Sequence, residues 1–207
     1  TLSADAIGAT TWQHDLLEAQ PQYLEPAAYD VLQQAVYPFD RLPFDLWTEE
    51  GRRYLRQMGI TRDTLMRVMP DHAGVGPLEI ATDALGMTSL ERELIRHGDT
   101  RIAAIAGSWG ISASSSTINS QLGRVVTLSD QAQIDYDTLV RLLNTRYINA
   151  EAGVSVKFAG TPCSLEAAVL VNGRGAELIN LPLRTFLDRL HRFMRLQRRL
   201  ACTEYEL

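Results

Sequence analysis

Side chains that commonly bind metals or transfer protons are sparse in this sequence. The four histidines, His14, His72, His97 and His191, lie far apart along the chain. None has a second histidine, a cysteine or a carboxylate at a metal-ligand spacing that a helix surface would not equally explain. We therefore expect no metal site and no cofactor.

The candidate serine nucleophiles lie in "SASSS", Ser112 to Ser116. No G-x-S-x-G elbow surrounds these serines and no strand is predicted directly before them. A flexible loop would also hold a nucleophile poorly against a base. The glycine clusters "GVG" and "NGRG" lack the Lys-Ser/Thr of a phosphate loop and are expected to form turns. The sequence thus predicts no catalytic residue, and a protein that is not an enzyme.

The two cysteines, Cys163 and Cys202, match no zinc or redox spacing. We favour two free, half-buried thiols, with a disulfide between them as the alternative.

Composition excludes some classes of function. Of the 207 residues, 45% are apolar and 22% charged, as in ordinary globular proteins, and the net charge is -5. An acidic chain is not a nucleic-acid binder by bulk electrostatics. The arginines of the last periodic segment form the one candidate basic patch, and a solvated or ion-paired face is favoured over contact with phosphate or lipid. No apolar run approaches the roughly 18 residues of a membrane span.

Periodicity predicts a mainly α fold, an array of short helices and αα-hairpins. Residues 1–25 are a weakly patterned lead-in, with "TTWQHDLLEAQ" as a candidate short helix, and 26–207 form the helical domain. A small antiparallel β insertion is expected at about 154–180. There, Val154, Val156 and Phe158 alternate with polar residues, and a hairpin turn is predicted at 172–175. The Ser-rich stretch from Ser108 to Ser120 is predicted to be a flexible loop.

Several helices have clear start signals. Pro26 suits the first position of one helix, Gly76-Pro77 opens another, and Thr88 or Ser89 caps the next. Asp135 is expected to cap a helix whose buried stripe is Leu139, Leu142, Leu143, Tyr147 and Ile148.

The final helix, Pro182 to Leu200, is the most periodic segment. Its predicted core stripe is Leu183, Phe186, Leu187, Leu190, Phe193, Met194 and Leu200. The predicted opposite face carries Arg184, Arg192, Arg195, Arg198 and Arg199, and Asp188 is placed to pair with Arg192.

The stretch "YPFDRLPFDLW" contains Pro-Phe-Asp twice, five residues apart. Each proline fixes its φ angle and removes a donor, which indicates an extended connector. We expect the two phenylalanines to anchor this connector on a core, and Asp45 to cap a helix that begins at Leu46. A ligand site in the motif is the alternative. The motif residues are Tyr37, Pro38, Phe39, Pro43, Phe44, Asp45 and Trp47.

An αα-hairpin is predicted to follow this connector. Gly59 is expected to stop the first helix and Thr61 to cap the second. Trp47, Tyr54, Leu55 and Met58 form one face of the first helix, and Leu65, Met66 and Met69 are expected to lie inward on the second.

In this order, the motifs resemble the A-subunit family of the bacterial Tc (ABC) insecticidal toxin complexes, which is related to the Salmonella virulence-plasmid A protein. The similar stretches are Ala28 to Met69, "ATDALGMTSLERELI", Ile134 to Asn149 and Leu187 to Leu207. Cys163, followed by Ser164-Leu165, lies where that family often has a cysteine and a short strand.

The resemblance implies a function for the chain. Subunits of this family are very large and form pentamers, in which a helical shell surrounds a translocation channel. The chain is similar to part of the N-terminal helical shell and would be a piece of a longer protein. Its implied partners are other parts of the same subunit, the toxin B and C components and a host receptor. The implied location is secreted or on the cell surface.

Two functional hypotheses follow. The first is a non-enzymatic shell element of a toxin-complex A subunit, involved in host-surface binding and toxin translocation. The alternative is a stand-alone helical virulence or adaptor protein that binds a partner protein. Neither hypothesis involves nucleic acid or a membrane span in this segment.

Overall fold

A computed structural model describes residues 26–39, 42–69, 75–150, 153–158 and 164–202. The predicted fold class is confirmed: the chain is mainly helical, with one small antiparallel sheet in its described part. The α-helices are α1 (Pro26–Gln34), α2 (Leu46–Gln57), α3 (Arg62–Val68), α4 (Pro77–Ala84), α5 (Ser89–Arg96), α6 (Ile102–Trp109), α7 (Ser115–Thr117), α8 (Val125–Ala132), α9 (Tyr136–Leu143) and α10 (Asn180–Leu200). A π-helical turn, Ile118–Leu122, follows α7, and a 3₁₀ turn, Leu165–Ala167, precedes the second strand.

The chain divides into two compact units. Among the described residues, the first unit contains 26–36, 42–69 and 75–91, and the second contains 37–39 and all described residues from 92 onward. The boundary falls inside α5. This division was not predicted from the sequence, because periodicity reports which faces are apolar and not which helices share a core.

The predicted helix starts and stops of the first unit are present. The α2–α3 hairpin turns at Gly59, which has φ +77°, and the amide of Ile60 bonds the carbonyl of Leu55 across the turn. Thr61 precedes α3 without a side-chain bond to its backbone. Thr88 is the cap of α5, since its hydroxyl accepts the amide hydrogen of Glu91 at 3.1 Å.

The second unit is built around α10. Six apolar residues of the predicted stripe are buried there, from Leu183 to Met194. They share one core with α6, the π turn, α8 and α9, including Trp109, Ile118, Leu128, Leu139 and Leu142. Asp135 caps α9 as expected, because its carboxylate accepts the amide hydrogen of Thr138 at 2.8 Å.

The predicted β insertion is a sheet of two strands, β1 (Ser155–Phe158) and β2 (Ala168–Val171). They run antiparallel, with Ser155 opposite Val171 and Phe158 opposite Ala168. The predicted pairing of β2 with the segment after the turn was in part wrong. The turn at 172–175 forms, but the arm after it adds only a bridge between Val171 and Glu177, so the main partner of β2 is the earlier strand.

The Ser-rich stretch is not a loop, and that prediction was wrong. Its first residues complete α6, and it continues into α7 and the π turn. Trp109 and Ile118 within it are fully buried. Ser114 caps α7 by accepting the amide hydrogen of Thr117. Two buried anchors and a serine cap therefore override a composition that is typical of loops.

Three details of the apolar and charged faces also differ from the prediction. Arg195, expected on the charged face of α10, is buried, because Phe39 and His191 lie beside it. Leu200 is exposed near the helix end. Tyr147 is partly exposed, and its ring stacks on Phe193 at 6.3 Å between centroids.

Gly110 ends α6 in the left-handed conformation, with φ +64°. A Cβ atom at this position would lie 2.3 Å from a ring carbon of Tyr37. The position therefore needs glycine for its backbone angle and for the approach of the aromatic ring.

Candidate functional site

The residues of the double Pro-Phe-Asp motif are divided between the two compact units. By their contacts, Tyr37, Pro38 and Phe39 belong to the second unit, whereas Pro43, Phe44, Asp45 and Trp47 belong to the first. Asp40 lies outside the described residues, as do Cys163, His14, His72, the "TTWQHDLLEAQ" segment and the last five residues. The two halves of the motif are therefore considered separately.

Phe39 is a buried anchor, as predicted. Its ring packs edge-on against Trp109 at 6.0 Å and against His191 at 5.5 Å between centroids. The guanidinium carbon of Arg198 lies 4.3 Å from the centre of the same ring, close enough for a cation–π contact. The neighbouring Tyr37 donates its hydroxyl hydrogen to Gln131.

Phe44 is only half-buried, and this part of the anchor prediction was too strong. Its ring lies 6.3 Å from that of Tyr29, and its amide bonds the carbonyl of Leu32 at 3.1 Å. Tyr29 and Leu32 both belong to α1, so both contacts join the connector to that helix. Phe44 thus fixes the local path of the chain without entering a core.

Asp45 caps α2, which begins at Leu46 as predicted. Its carboxylate accepts the amide hydrogen of Thr48 at 3.1 Å, which satisfies one of the free donors of the first turn. The cap fixes where α2 starts.

Most of the predicted apolar face of α2 is exposed, and this prediction was wrong. Trp47, Tyr54, Leu55 and Met58 were expected to pack as one face, but only Leu55 is half-buried, and Trp47, Tyr54 and Met58 are 72%, 65% and 66% exposed. The side of α2 that is buried carries Arg52, which is 4% exposed. In an ordinary amphipathic helix the apolar stripe faces the core, whereas α2 buries an arginine and exposes three large apolar side chains.

A network of charges accounts for the burial of Arg52. Its Nε donates to Asp83 at 3.0 Å, its Nη1 to Glu49 at 2.5 Å and its Nη2 to the carbonyl of Met87 at 2.8 Å. Arg62 adds a second donor to the same oxygen of Asp83 at 2.6 Å. These bonds satisfy a guanidinium that would otherwise be costly to bury.

This network was not predicted from the sequence. Glu49 and Arg52 are three residues apart, a spacing that also occurs on solvated helix faces. Asp83 lies on another helix, so its role depends on tertiary structure. The one sign in the sequence that this side of α2 does not face a core is its composition. The apolar stripe of α2 contains a glycine, Gly51, between the aromatic residues Trp47 and Tyr54.

The second helix of the hairpin also exposes apolar side chains. Leu65 and Met69, expected to lie inward, are more than a third exposed, and Val68 is 74% exposed. Met66 is half-buried. Apolar residues on both consecutive helices therefore reach solvent in the described structure, a feature that commonly marks a surface for protein contacts.

His191, for which the sequence predicted no role, is a second buried polar group. It is buried in the second unit, and Arg195 donates its Nε hydrogen to Nε2 of His191 at 3.0 Å. Burial, followed by the charges of Arg195 and Arg198, holds the pKa of His191 well below its usual value. This packing fits a structural histidine. In the described ranges, no three metal-ligating side chains lie close enough to hold an ion.

No known protein family, curated protein or solved structure matches this chain at a significant level. The resemblance to the toxin-complex A subunits thus stays a prediction. Among the described helices, none combines the length and apolarity needed to cross a bilayer.

Proposed function

We propose that this chain is a non-enzymatic structural module that works through protein–protein contacts. The observation that supports this most directly is the exposed apolar stripe of α2: Trp47, Tyr54 and Met58 reach solvent while a charge network holds Arg52 inside. Trp and Tyr are enriched among the residues that contribute most to protein interfaces. An exposed stripe of this kind fits a module that is covered by other protein in its working state.

The larger assembly that we propose is the helical shell of a toxin-complex A subunit. The motif order that resembles this family supports the assignment. In that setting the chain belongs to a much longer subunit, which forms pentamers, contacts a host receptor and the B and C components, and contributes to toxin translocation. The shell module itself has no catalytic role.

A second candidate is a stand-alone helical virulence or adaptor protein. The exposed aromatic residues of α2 favour it to the same extent, because an adaptor would use this stripe to bind its partner. The two candidates differ in the length of the natural polypeptide and in its assembly.

The deciding experiment is immunoblotting of the source organism with antibodies raised against the purified 207-residue chain. For the shell module we expect a band many times larger than 23.1 kDa, in the culture medium or on the cell surface. Affinity-purified material should show five-fold particles by electron microscopy. A band close to 23.1 kDa would reject the shell assignment and favour the adaptor.

A further inference from the structure

The strand β1 has an outer edge, the side of its backbone that faces away from β2. The amide of Leu170 in β2 bonds the carbonyl of Gly123 at 2.9 Å, and the carbonyl of Leu170 accepts the amide hydrogen of Leu178 at 2.9 Å. Leu170 therefore points both backbone groups away from β1. Its partner Val156 must then point its own N–H and C=O to the outer edge. Phe158, two residues further along β1, has the same orientation.

One side chain closes part of the outer edge. The carboxamide of Asn149 accepts the amide hydrogen of Val154 at 2.7 Å and donates to the carbonyl of Val154 at 2.9 Å. A residue of a neighbouring antiparallel strand would make the same two bonds. A strand that approaches the outer edge thus finds Val154 already occupied. No described residue bonds the backbone groups of Val156 or Phe158 on this side.

A lysine lies between the two open residues. Lys157 is the only lysine of the 207 residues. It is exposed on the solvent face of the sheet, whereas Val156 and Phe158 are half-buried on the other face. Among the described carboxylates, none pairs with its ammonium group. Lysine on a short strand is one of the ways in which proteins keep an open edge from pairing.

We propose that Asn149 and Lys157 together keep the outer edge of β1 from pairing with a second copy of this chain. Because Val154 is occupied, two antiparallel β1 strands can use Val156 and Phe158 of each copy. Both residues make all their backbone bonds when Val156 of one copy lies opposite Phe158 of the other. The two-fold axis then passes between the two Lys157 residues, whose Cβ atoms lie roughly 5 Å apart. Like charges directly opposite each other oppose this pairing.

A second register would avoid the repulsion between the lysines. If Val156 lay opposite Val156, Lys157 would face Ser155 of the other copy. Phe158 would then lie opposite the occupied Val154, so only the central residues could exchange bonds. Asn149 thus weakens the register that avoids the repulsion, and Lys157 opposes the register that remains. This inference does not rest on the toxin-shell assignment.

Sedimentation velocity over a range of concentrations tests the proposal. Lys157→Thr removes the charge and keeps a residue that favours strands. Its mass should rise from 23.1 kDa toward twice that value, whereas the wild type should stay at 23.1 kDa. Arg174→Thr is the matched control, because it removes a positive charge from an exposed residue of the turn after β2. Association of Lys157→Thr no stronger than that of the wild type, or equal association of the control, would overturn the proposal.

A charge exchange tests whether the two lysines oppose each other. Lys157→Glu alone should stay monomeric, since like charges still lie opposite each other. An equimolar mixture of Lys157→Glu and the wild type should form a mixed dimer, because unlike charges then meet at the axis. A mixture that sediments as the sum of its separate components would reject this arrangement.

Cross-linking tests the register, in a chain that also carries Cys163→Ser and Cys202→Ser. Lys157→Cys places two thiols opposite each other, within the reach of a disulfide. It should give a covalent dimer under mild oxidation. Ser155→Cys is the control and should stay unlinked, because Ser155 does not lie opposite itself in the proposed register. Linkage of Lys157→Cys that does not exceed that of the control would reject the register and the role of Asn149.

Discussion

Arg195 donates its Nε hydrogen to Nε2 of His191, one turn earlier on α10, at 3.0 Å. Both side chains are buried, and the rings of Phe39 and Trp109 pack against the imidazole. This bond requires Nε2 to carry no hydrogen, so His191 is neutral in the folded protein. A second positive charge at this place would oppose Arg195 and the nearby Arg198.

We expect the stability of the second unit to fall as the pH decreases below about 6.5. The folded-state pKa of His191 is depressed, so below the unfolded-state pKa the unfolded chain binds a proton that the folded chain does not. The contribution of His191 to the free energy of unfolding should therefore fall by up to about 1.4 kcal/mol per pH unit in that window and be constant above it.

Urea unfolding of the wild type and of His191→Gln between pH 5 and pH 8 measures this effect. Glutamine can still accept the Arg195 hydrogen bond but does not titrate. The difference between the two proteins should grow as the pH falls. A difference that is independent of pH would show that His191 is not the titrating group.

Asp45→Ala should lower stability by roughly 0.5–2 kcal/mol, because the amide of Thr48 loses its acceptor. Asp45→Ser is the matched control, since a serine hydroxyl can cap in the same way. Chemical denaturation of the three proteins gives the comparison. Equal stability of the alanine variant and the wild type would contradict the cap.

The two phenylalanines of the motif should differ in their contribution to stability. Phe39→Ala removes a ring from a packed core and should cost roughly 3–5 kcal/mol. Phe44→Ala removes a half-buried ring beside Tyr29 and should cost about 1–2 kcal/mol. Denaturation midpoints of the two single variants measure the difference. A larger loss for Phe44→Ala would contradict the assignment of Phe39 to the core.

Asp83→Ala should be strongly destabilising, by roughly 3–5 kcal/mol, because it leaves Arg52 buried without its main counter-charge. Glu49 pairs with the same arginine but is about one-third exposed. Glu49→Ala should therefore cost no more than about 1 kcal/mol. Thermal unfolding followed by circular dichroism distinguishes the two. Similar losses would mean that Asp83 is not the central partner.

Local signals predicted the starts and stops of many elements. Asp45, Thr88 and Asp135 cap helices at the expected places, since a cap depends only on residues within one turn. The α10 stripe was also predicted, because a long helix with one apolar face buries that face against the core.

The burial of side chains that depend on tertiary contacts was not predictable from the local sequence. Periodicity placed Trp47, Tyr54, Leu55 and Met58 on one side of α2, but which side of the helix faces inward depends on Asp83, on another helix. The burial of Arg195 likewise depends on Phe39, which lies far away in the sequence. The candidate surface of this protein is therefore a property of its packing and not of any local motif.

Two glycines of this chain mark opposite extremes of mutational tolerance. At Gly110, every other residue would both strain a left-handed backbone and drive a Cβ into the ring of Tyr37. At Gly51, a Cβ would meet open space on a helix surface. In a saturation library selected only for folded monomer, Gly110 should keep its wild-type codon, whereas nearly any residue except proline should be recovered at Gly51.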